Sequence, residues 1–218
     1  MHGYLSSGEC FGRIAKMLSE DFDVFCPDMK GFGKNADMPY PYALNDYLSE
    51  IREYIKEKGL NRPHVIGHSF GGRVAIKLAA AYKNLTGKLV LCDAAGMKPR
   101  FSFKKAGRKA AFKVLKNFLP KERLKNFYSS DYLAVNGVLR ESFKLIVSEN
   151  LEEYLNKIEN KTLVIFGRQD KETPPYMAKR LYKGIKNSEL QIIDGAGHFC
   201  FIDKPFTFYE EVKRFLLN

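Results

Sequence analysis

One serine stands at a position where it could act as a nucleophile, in the segment Gly67-His68-Ser69-Phe70-Gly71, which fits G-x-S-x-G. An apolar run precedes the segment and a helical pattern follows from about Gly72, so we predict a sharp turn between a strand and a helix. Glycines at 67 and 71 avoid collisions at this strained turn. We predict Ser69 as the nucleophile and the Phe70 N–H as an oxyanion donor. Taken alone, the pattern is weak and also fits an ordinary turn serine.

A serine hydroxyl needs a base, and the base needs a partner that fixes its tautomer. Two apolar runs, residues 162–166 and 190–193, are followed by Asp170 and His198 respectively. The chain order Ser, Asp, His is a known triad order, distinct from those of the chymotrypsin and subtilisin types. We predict His198 as the general base and Asp170 as the acid that orients it.

Other acids and histidines offer alternatives. Asp93 follows the apolar run at residues 88–92 and could supply the acid, although chain order favours Asp170. The remaining candidates are interpreted as structural residues: the histidines His2, His64 and His68, and the turn-forming Asp28 and Asp194.

Strand-like and helix-like patterns alternate along most of the chain. Five apolar runs predict strands, at residues 23–26, 64–66, 88–92, 162–166 and 190–193. Apolar residues at helical spacing lie between them, at residues 11–18, 44–55 and 74–82. This alternation predicts an α/β fold, a mostly parallel sheet with helices on both faces, which binds ligands beyond the carboxyl ends of its strands.

The alternation stops between residues 98 and 155, where helical patterns follow one another at 103–118 and 135–147. We predict a helical cap insertion at residues 98–155 and a core domain made of residues 1–97 and 156–218. Residues 98–144 hold thirteen Lys and Arg against three acidic residues, so the cap is basic. The simplest interpretation is a solvated helical face; attraction of an anionic substrate or a membrane surface is a second hypothesis.

Composition limits the classes of protein to which this chain could belong. The chain has 218 residues, of which 45% are hydrophobic, as expected for a globular domain with an insertion. No apolar stretch approaches the roughly 20 residues of a membrane span, and we predict a cytoplasmic protein. The four cysteines (Cys10, Cys26, Cys92 and Cys200) lie far apart and are predicted to be reduced. We expect no metal, no cofactor and no nucleic-acid partner; a homodimer stays open.

Five motifs, in this order, resemble those of the α/β-hydrolase superfamily, of the capped, esterase-like kind. They are the oxyanion loop His2-Gly3-Tyr4, the D-x-x-G-x-G turn at residues 27–33, the nucleophile elbow at 67–72, the acid loop at 166–170 and the histidine loop at 195–198. The resemblance covers essentially the whole chain. It implies that the Tyr4 N–H joins the Phe70 N–H in an oxyanion hole and that the insertion caps a substrate pocket.

Members of that family usually carry strands before the HG motif, whereas this sequence begins at Met1-His2-Gly3. The resemblance therefore implies an N-terminally shortened fold. Either the reading frame begins late, or the sheet is reduced and residues 23–26 pair directly with residues 64–66. In the second case, no strand would hold Tyr4.

The predicted function is hydrolysis of a small carboxylic ester, or a similar acyl substrate, through an acyl-enzyme on Ser69. Thioesters, lactones, amides and carbon–carbon bonds are also cleaved at such sites, so the fold does not select the substrate. The alternative is a catalytically weak ligand-binding protein, or an inactive truncated form. A cationic binder of membranes or nucleic acid is a third hypothesis, supported only by the charge of the cap.

Overall fold

The computed structural model describes residues 1–99 and 137–218, and four strands within them form one parallel sheet. The strands are β1 (Val65–His68), β2 (Leu89–Cys92), β3 (Thr162–Gly167) and β4 (Ser188–Ile193), in the spatial order β1-β2-β3-β4. Their register places Gly67 opposite Leu91 and Cys92 opposite Ile165. The parallel sheet and four of the five predicted strands are confirmed.

The two central strands read as unbroken apolar runs because both of their faces are covered. Leu89 and Leu91 of β2 pack into one hydrophobic cluster, and Val90 and Cys92 pack into a second cluster on the other face. All four side chains are at most 1% exposed. Since successive strand residues point to opposite faces, neither face of β2 tolerates polar residues at these positions.

Seven α-helices lie within the described residues. They are α1 (Gly12–Leu18), α2 (Leu44–Glu57), α3 (Phe70–Ala81), α4 (Gly137–Ser148), α5 (Pro175–Gly184), α6 (Cys200–Asp203) and α7 (Pro205–Leu217). Apolar residues of α2, α3 and α5 belong to the first cluster, and those of α1 and α7 belong to the second. The helical patterns at residues 11–18, 44–55 and 74–82 are therefore confirmed, with helices on both faces of the sheet.

Part of the predicted cap lies outside the described residues. The helical pattern at residues 103–118 falls wholly there, whereas the pattern at 135–147 overlaps α4. A 3₁₀ helix, Glu152–Lys157, then leads the chain back towards β3. Among the helices that the structure describes, none is long and apolar enough to cross a membrane.

The prediction that residues 23–26 form a strand is wrong, and so is the alternative in which they pair directly with residues 64–66. The segment forms no strand, and a cavity of about 530 Å³, lined by both segments, lies between them. The open edge of β1 is occupied instead by the first residue: the Met1 amine donates a hydrogen bond to the Ile66 carbonyl (2.7 Å), and the His68 N–H donates to the Met1 carbonyl (3.0 Å). Residues 23–26 therefore have the composition of a strand without a neighbouring strand to pair with.

Candidate active site

Ser69 occupies the turn between β1 and α3, with a φ of +49°, in the left-handed region that non-glycine residues rarely adopt. Backbone hydrogen bonds hold it there: its N–H donates to the Cys92 carbonyl (3.1 Å), and its carbonyl accepts from the Ala95 N–H (3.1 Å). A Cβ on Gly67 would lie 2.6 Å from the Gly71 carbonyl oxygen. The turn therefore needs glycine at 67 in order to present the Ser69 side chain.

A chain of hydrogen bonds joins Ser69, His198 and Asp170. The Ser69 Oγ lies 3.0 Å from His198 Nε2, and His198 Nδ1 lies 2.9 Å from Asp170 Oδ2. The three residues come from the carboxyl ends of β1, β4 and β3, which parallel strands bring to one edge. With the Nδ1 proton donated to Asp170, the Nε2 lone pair faces the serine hydroxyl, as a general base requires.

The surroundings of Asp170 and His198 shift their pKa values in opposite directions. Burial alone would raise the pKa of Asp170, but hydrogen bonds from His198 and Thr173 outweigh it and hold that pKa below its usual value. Burial would also lower the pKa of His198, yet the hydrogen bond and charge of Asp170 raise it above its ordinary value. Asp170 is thus ionised at neutral pH, which suits it to stabilise a protonated imidazole at His198.

The Asp170 carboxylate is saturated with donors. Its Oδ1 accepts the N–H groups of Glu172 (2.8 Å) and Thr173 (2.9 Å). Its Oδ2 accepts the Thr173 hydroxyl (2.6 Å) as well as His198. Sequence reasoning missed Thr173. The available signal was an Asp followed within three residues by a hydroxyl side chain, a common turn pattern that has many other uses.

Asp93, the alternative acid, has a different role in the structure. It follows β2 with a φ of +42° and is fully buried. Its Oδ1 accepts the Gly167 N–H (2.8 Å), and its Oδ2 accepts the Cys200 N–H (3.3 Å). Within the described residues no hydrogen bond joins it to His198, so Asp93 connects the ends of β2 and β3 to α6, while Asp170 orients the imidazole.

The ring of each of the other three histidines makes a hydrogen bond to a backbone group. The ring of His68 donates from Nε2 to the His198 carbonyl (2.8 Å), and burial lowers the pKa of His68 to about 3, which keeps the ring neutral. His2 accepts the Met29 N–H at Nε2 (3.0 Å). His64 accepts the Lys88 N–H at Nδ1 (2.9 Å).

The first loop, residues 1–4, packs directly against the turn at Ser69. The Gly71 N–H donates to the His2 carbonyl (3.0 Å), and a Cβ on Gly3 would lie 3.5 Å from the Ser69 Cβ. Tyr4 follows and is held by its side chain, because its hydroxyl donates to the Leu139 carbonyl of α4 (2.6 Å). Its ring also makes edge contacts with the aromatic residues Phe32, Phe70 and Phe143. Tyr4 is therefore held by contacts of its side chain rather than by a strand.

Buried polar contacts anchor α4 beside the elbow helix α3. Arg73 donates from Nη2 to the carbonyls of Ile146 (2.5 Å) and Glu149 (2.6 Å). A further contact joins α4 to the segment before α2, where the Ser142 Oγ accepts the Tyr42 N–H (2.8 Å). Burial lowers the pKa of Arg73 to about 10, which still leaves it protonated at neutral pH. The described part of the predicted cap is thus fixed to α3, the helix that follows Ser69.

One group among the described residues has the composition of a metal site: Cys92, Asp93 and Cys200, whose candidate ligand atoms lie within 4.8 Å of one another. The two Sγ atoms are 3.5 Å apart, and the Cys92 Sγ is 3.6 Å from Asp93 Oδ2. These contacts, and the two N–H groups bound to Asp93, engage the polar atoms of the group among themselves and with the backbone.

Comparison with known proteins assigns the family to which this fold belongs. A sequence profile described as the alpha/beta hydrolase family matches residues 1–212. The chain belongs to the alpha/beta hydrolase family. The predicted resemblance, the fold class and the prediction of a hydrolase are therefore confirmed.

Several proteins similar to this chain are named as hydrolases or esterases. The 2-hydroxy-6-oxo-6-(2'-aminophenyl)hexa-2,4-dienoic acid hydrolase of Metapseudomonas resinovorans is 26% identical, over 99% of this chain and 82% of the relative. The esterase of Exiguobacterium antarcticum superposes with a TM-score of 0.79 at 22% identity, covering 100% of this chain and 90% of that one. A thermophilic esterase of Thermogutta terrifontis superposes with a TM-score of 0.75 at 19% identity, covering 99% of this chain and 87% of that one. At these identities the two structures establish the fold alone.

Proposed function

We propose that this chain hydrolyses small carboxylic esters through an acyl-enzyme on Ser69. The observation that carries the proposal is the hydrogen-bonded chain from Ser69 Oγ through His198 to Asp170, with contacts of 3.0 Å and 2.9 Å. Such a chain activates a hydroxyl whose own pKa makes it a weak nucleophile. The raised pKa of His198 and the lowered pKa of Asp170 suit their roles as base and orienting acid.

In the proposed reaction, the Ser69 oxygen attacks the ester carbonyl carbon while His198 Nε2 takes the hydroxyl proton. The developing oxyanion is stabilised by the N–H groups of Phe70, at the start of α3, and of Tyr4. His198 then returns the proton to the leaving alcohol, which leaves an acyl group on Ser69. A water molecule, deprotonated by His198, cleaves that acyl-enzyme and regenerates the serine.

We also propose that residues 98–155 cap the pocket above Ser69 and that the core comprises residues 1–97 and 156–218. The support comes from α4, which the Tyr4 hydroxyl and the Arg73 guanidinium tie to the loop and helix beside the nucleophile. The aromatic side chains Phe32, Phe70 and Phe143, in contact with Tyr4, would line the acyl side of this pocket.

The test is turnover of p-nitrophenyl acetate and butyrate by the purified chain, with trapping of the acyl-enzyme by rapid acid quench and intact mass. We expect an acyl adduct on the wild type and a fall of at least about 10³-fold in kcat for Ser69→Ala. Ser49→Ala, at an exposed helix position, is the matched control and should retain full activity.

Two results would overturn the ester proposal. Folded wild-type protein that is stabilised by ester-like ligands, yet turns over no ester, would favour a ligand-binding protein. Strong preference for a 2-hydroxy-6-oxo-dienoic acid over every ester would instead assign the activity named for the Metapseudomonas resinovorans relative.

A further inference from the structure

Thr173, in the loop between β3 and α5, touches three parts of the site although it is itself only 6% exposed. Its Oγ1 lies 2.6 Å from Asp170 Oδ2, 2.9 Å from the Asp93 carbonyl oxygen and 3.3 Å from His198 Nδ1. The hydroxyl thus sits where the carboxyl ends of β2, β3 and β4 converge.

The position of the Thr173 hydroxyl proton follows from the chemistry of these neighbours. A hydroxyl has one proton to donate, and an ionised carboxylate can only accept. Because Asp170 is ionised, two oxygens 2.6 Å apart would repel each other unless the Thr173 proton lay between them. The short distance is also typical of an O–H···O⁻ hydrogen bond. The hydroxyl therefore donates mainly to Asp170.

We infer that Thr173 is a positioning residue, whose hydroxyl holds the Asp170 carboxylate in place and disperses its negative charge, and so sets the pH above which His198 acts as a base. The inference rests on the proposed roles of Ser69, His198 and Asp170. A carboxylate that shares its charge with a hydroxyl is a weaker partner for a protonated imidazole. Without the hydroxyl, Asp170 stabilises protonated His198 more strongly, and the imidazole loses its proton at a higher pH.

Other titratable groups also interact with Asp170 and His198, and a Thr173 substitution leaves those groups in place. They are His68 at the end of β1, Asp93 after β2, Glu172 between β3 and α5, and Cys200 at the start of α6. Since their contributions are the same in both proteins, a difference between wild type and variant reports the Thr173 hydroxyl.

The experiment measures the second-order rate constant of phosphonylation by a fluorophosphonate against pH, for the wild type and Thr173→Val. Valine keeps the shape and removes the hydroxyl. We expect the midpoint of the acidic limb to move upward by about half a pH unit. The plateau rate should fall by about tenfold, because the carboxylate is less firmly oriented. Thr173→Ser, which keeps the hydroxyl, should restore the wild-type midpoint.

Thr162→Val is the matched control for loss of a buried threonine hydroxyl. Thr162 is fully buried at the opposite end of β3, and its hydroxyl donates to the Asn160 carbonyl (2.9 Å). This variant should lose stability while leaving the midpoint unchanged. An unchanged midpoint in Thr173→Val, or an equal shift in Thr162→Val, would overturn the inference.

A second readout separates this inference from the proposed function. The titration of the His198 imidazole, followed by NMR, requires no reaction and should show the same upward shift in Thr173→Val. Wild-type protein that is inert to the fluorophosphonate would refute the proposed function, while the NMR titration would still test the role of Thr173. A reactive wild type with identical NMR titrations would refute the inference alone.

Discussion

At the scale of single residues, two buried carboxylates stand close to His198, and their hydrogen bonds differ. Asp170 accepts the imidazole N–H at 2.9 Å, whereas Asp93 accepts backbone N–H groups of Gly167 and Cys200. Burial raises the pKa of Asp93, while the pKa of Asp170 is lowered despite its burial. A carboxylate that orients and stabilises a protonated imidazole must be ionised, which Asp170 satisfies.

This difference predicts unequal effects of two matching substitutions. Asp170→Asn should lower kcat by about 10⁴-fold, because an amide favours the wrong imidazole tautomer. Asp93→Asn should lower kcat by less than about tenfold, since no hydrogen bond joins Asp93 to His198 in the part of the chain that the structure describes. Steady-state kinetics on one ester, with circular dichroism to verify folding, measures both. The reverse order of effects would make Asp93 the acid.

The pH dependence follows from the sign of the His198 shift. A general base works only in its neutral form, and Asp170 raises the pKa of His198 above the ordinary 6.5. We therefore expect kcat/KM to fall as the pH drops through a value above 6.5, with full activity at higher pH. A profile of kcat/KM from pH 5 to 9 measures this limb. A midpoint at or below 6.5 would contradict the raised pKa of His198.

Much of the candidate site could be predicted from the sequence because its residues lie in a few short motifs. Ser69, Asp170 and His198 were each predicted from the position of a polar residue just after an apolar run, and the structure brings them into contact. Their catalytic roles stay predictions until tested. Thr173 was missed because its role depends on contacts with three loops that meet only in the folded chain.

At the scale of elements, the first loop and the elbow hold each other in place. The Gly71 N–H donates to the His2 carbonyl, and a Cβ on Gly71 would overlap the carbonyl oxygens of both Met1 and His2. Glycine is therefore required at 71 by a neighbouring backbone as well as by the turn itself. One contact therefore positions both the loop that contains Tyr4 and the turn that contains Ser69.

This contact predicts a sharp contrast between two glycine substitutions. Gly71→Ala should destabilise the protein by about 1–3 kcal/mol, because backbone must move to admit the methyl group. Gly12→Ala, at a helical position where the added Cβ would meet no atom within 4 Å beyond its chain neighbours and its own helix backbone, should be neutral or stabilising by up to about 1 kcal/mol. Urea unfolding measures both free energies. Equal effects would contradict the packing described for the loop.

Residues 23–26 show why local composition alone does not predict a strand. Their composition is that of a strand, yet strand formation requires a partner edge, and the facing edge of β1 bonds to Met1 instead. The central strands were predictable because burial on both faces gives a continuous apolar run. Pairing at an edge is a non-local property that no short window of sequence contains.

At the scale of the whole molecule, burial divides the four cysteines into two pairs. Cys92 and Cys200 are fully buried between the sheet and α6, whereas Cys26 is exposed and Cys10 is partly exposed. All four are free thiols in the structure. That the cysteines are reduced in the protein stays a prediction, which rests on their spacing in the sequence.

This division predicts a two-stage reaction with iodoacetamide. At pH 8 the native protein should take up no more than two labels, at Cys10 and Cys26, and the protein unfolded in urea should take up four. Intact mass followed by peptide mapping counts and locates the labels. Rapid native labelling of Cys92 would contradict the packing around the acid and histidine loops.

The central claim is that Ser69 is an activated nucleophile, and it is tested most directly by intact-mass labelling with a fluorophosphonate. The account predicts one phosphonyl adduct per chain, absent in Ser69→Ala and present in the control Ser49→Ala. Peptide mapping should place the adduct on Ser69. The absence of an adduct on folded wild-type protein, or an adduct that persists in Ser69→Ala, would contradict the account.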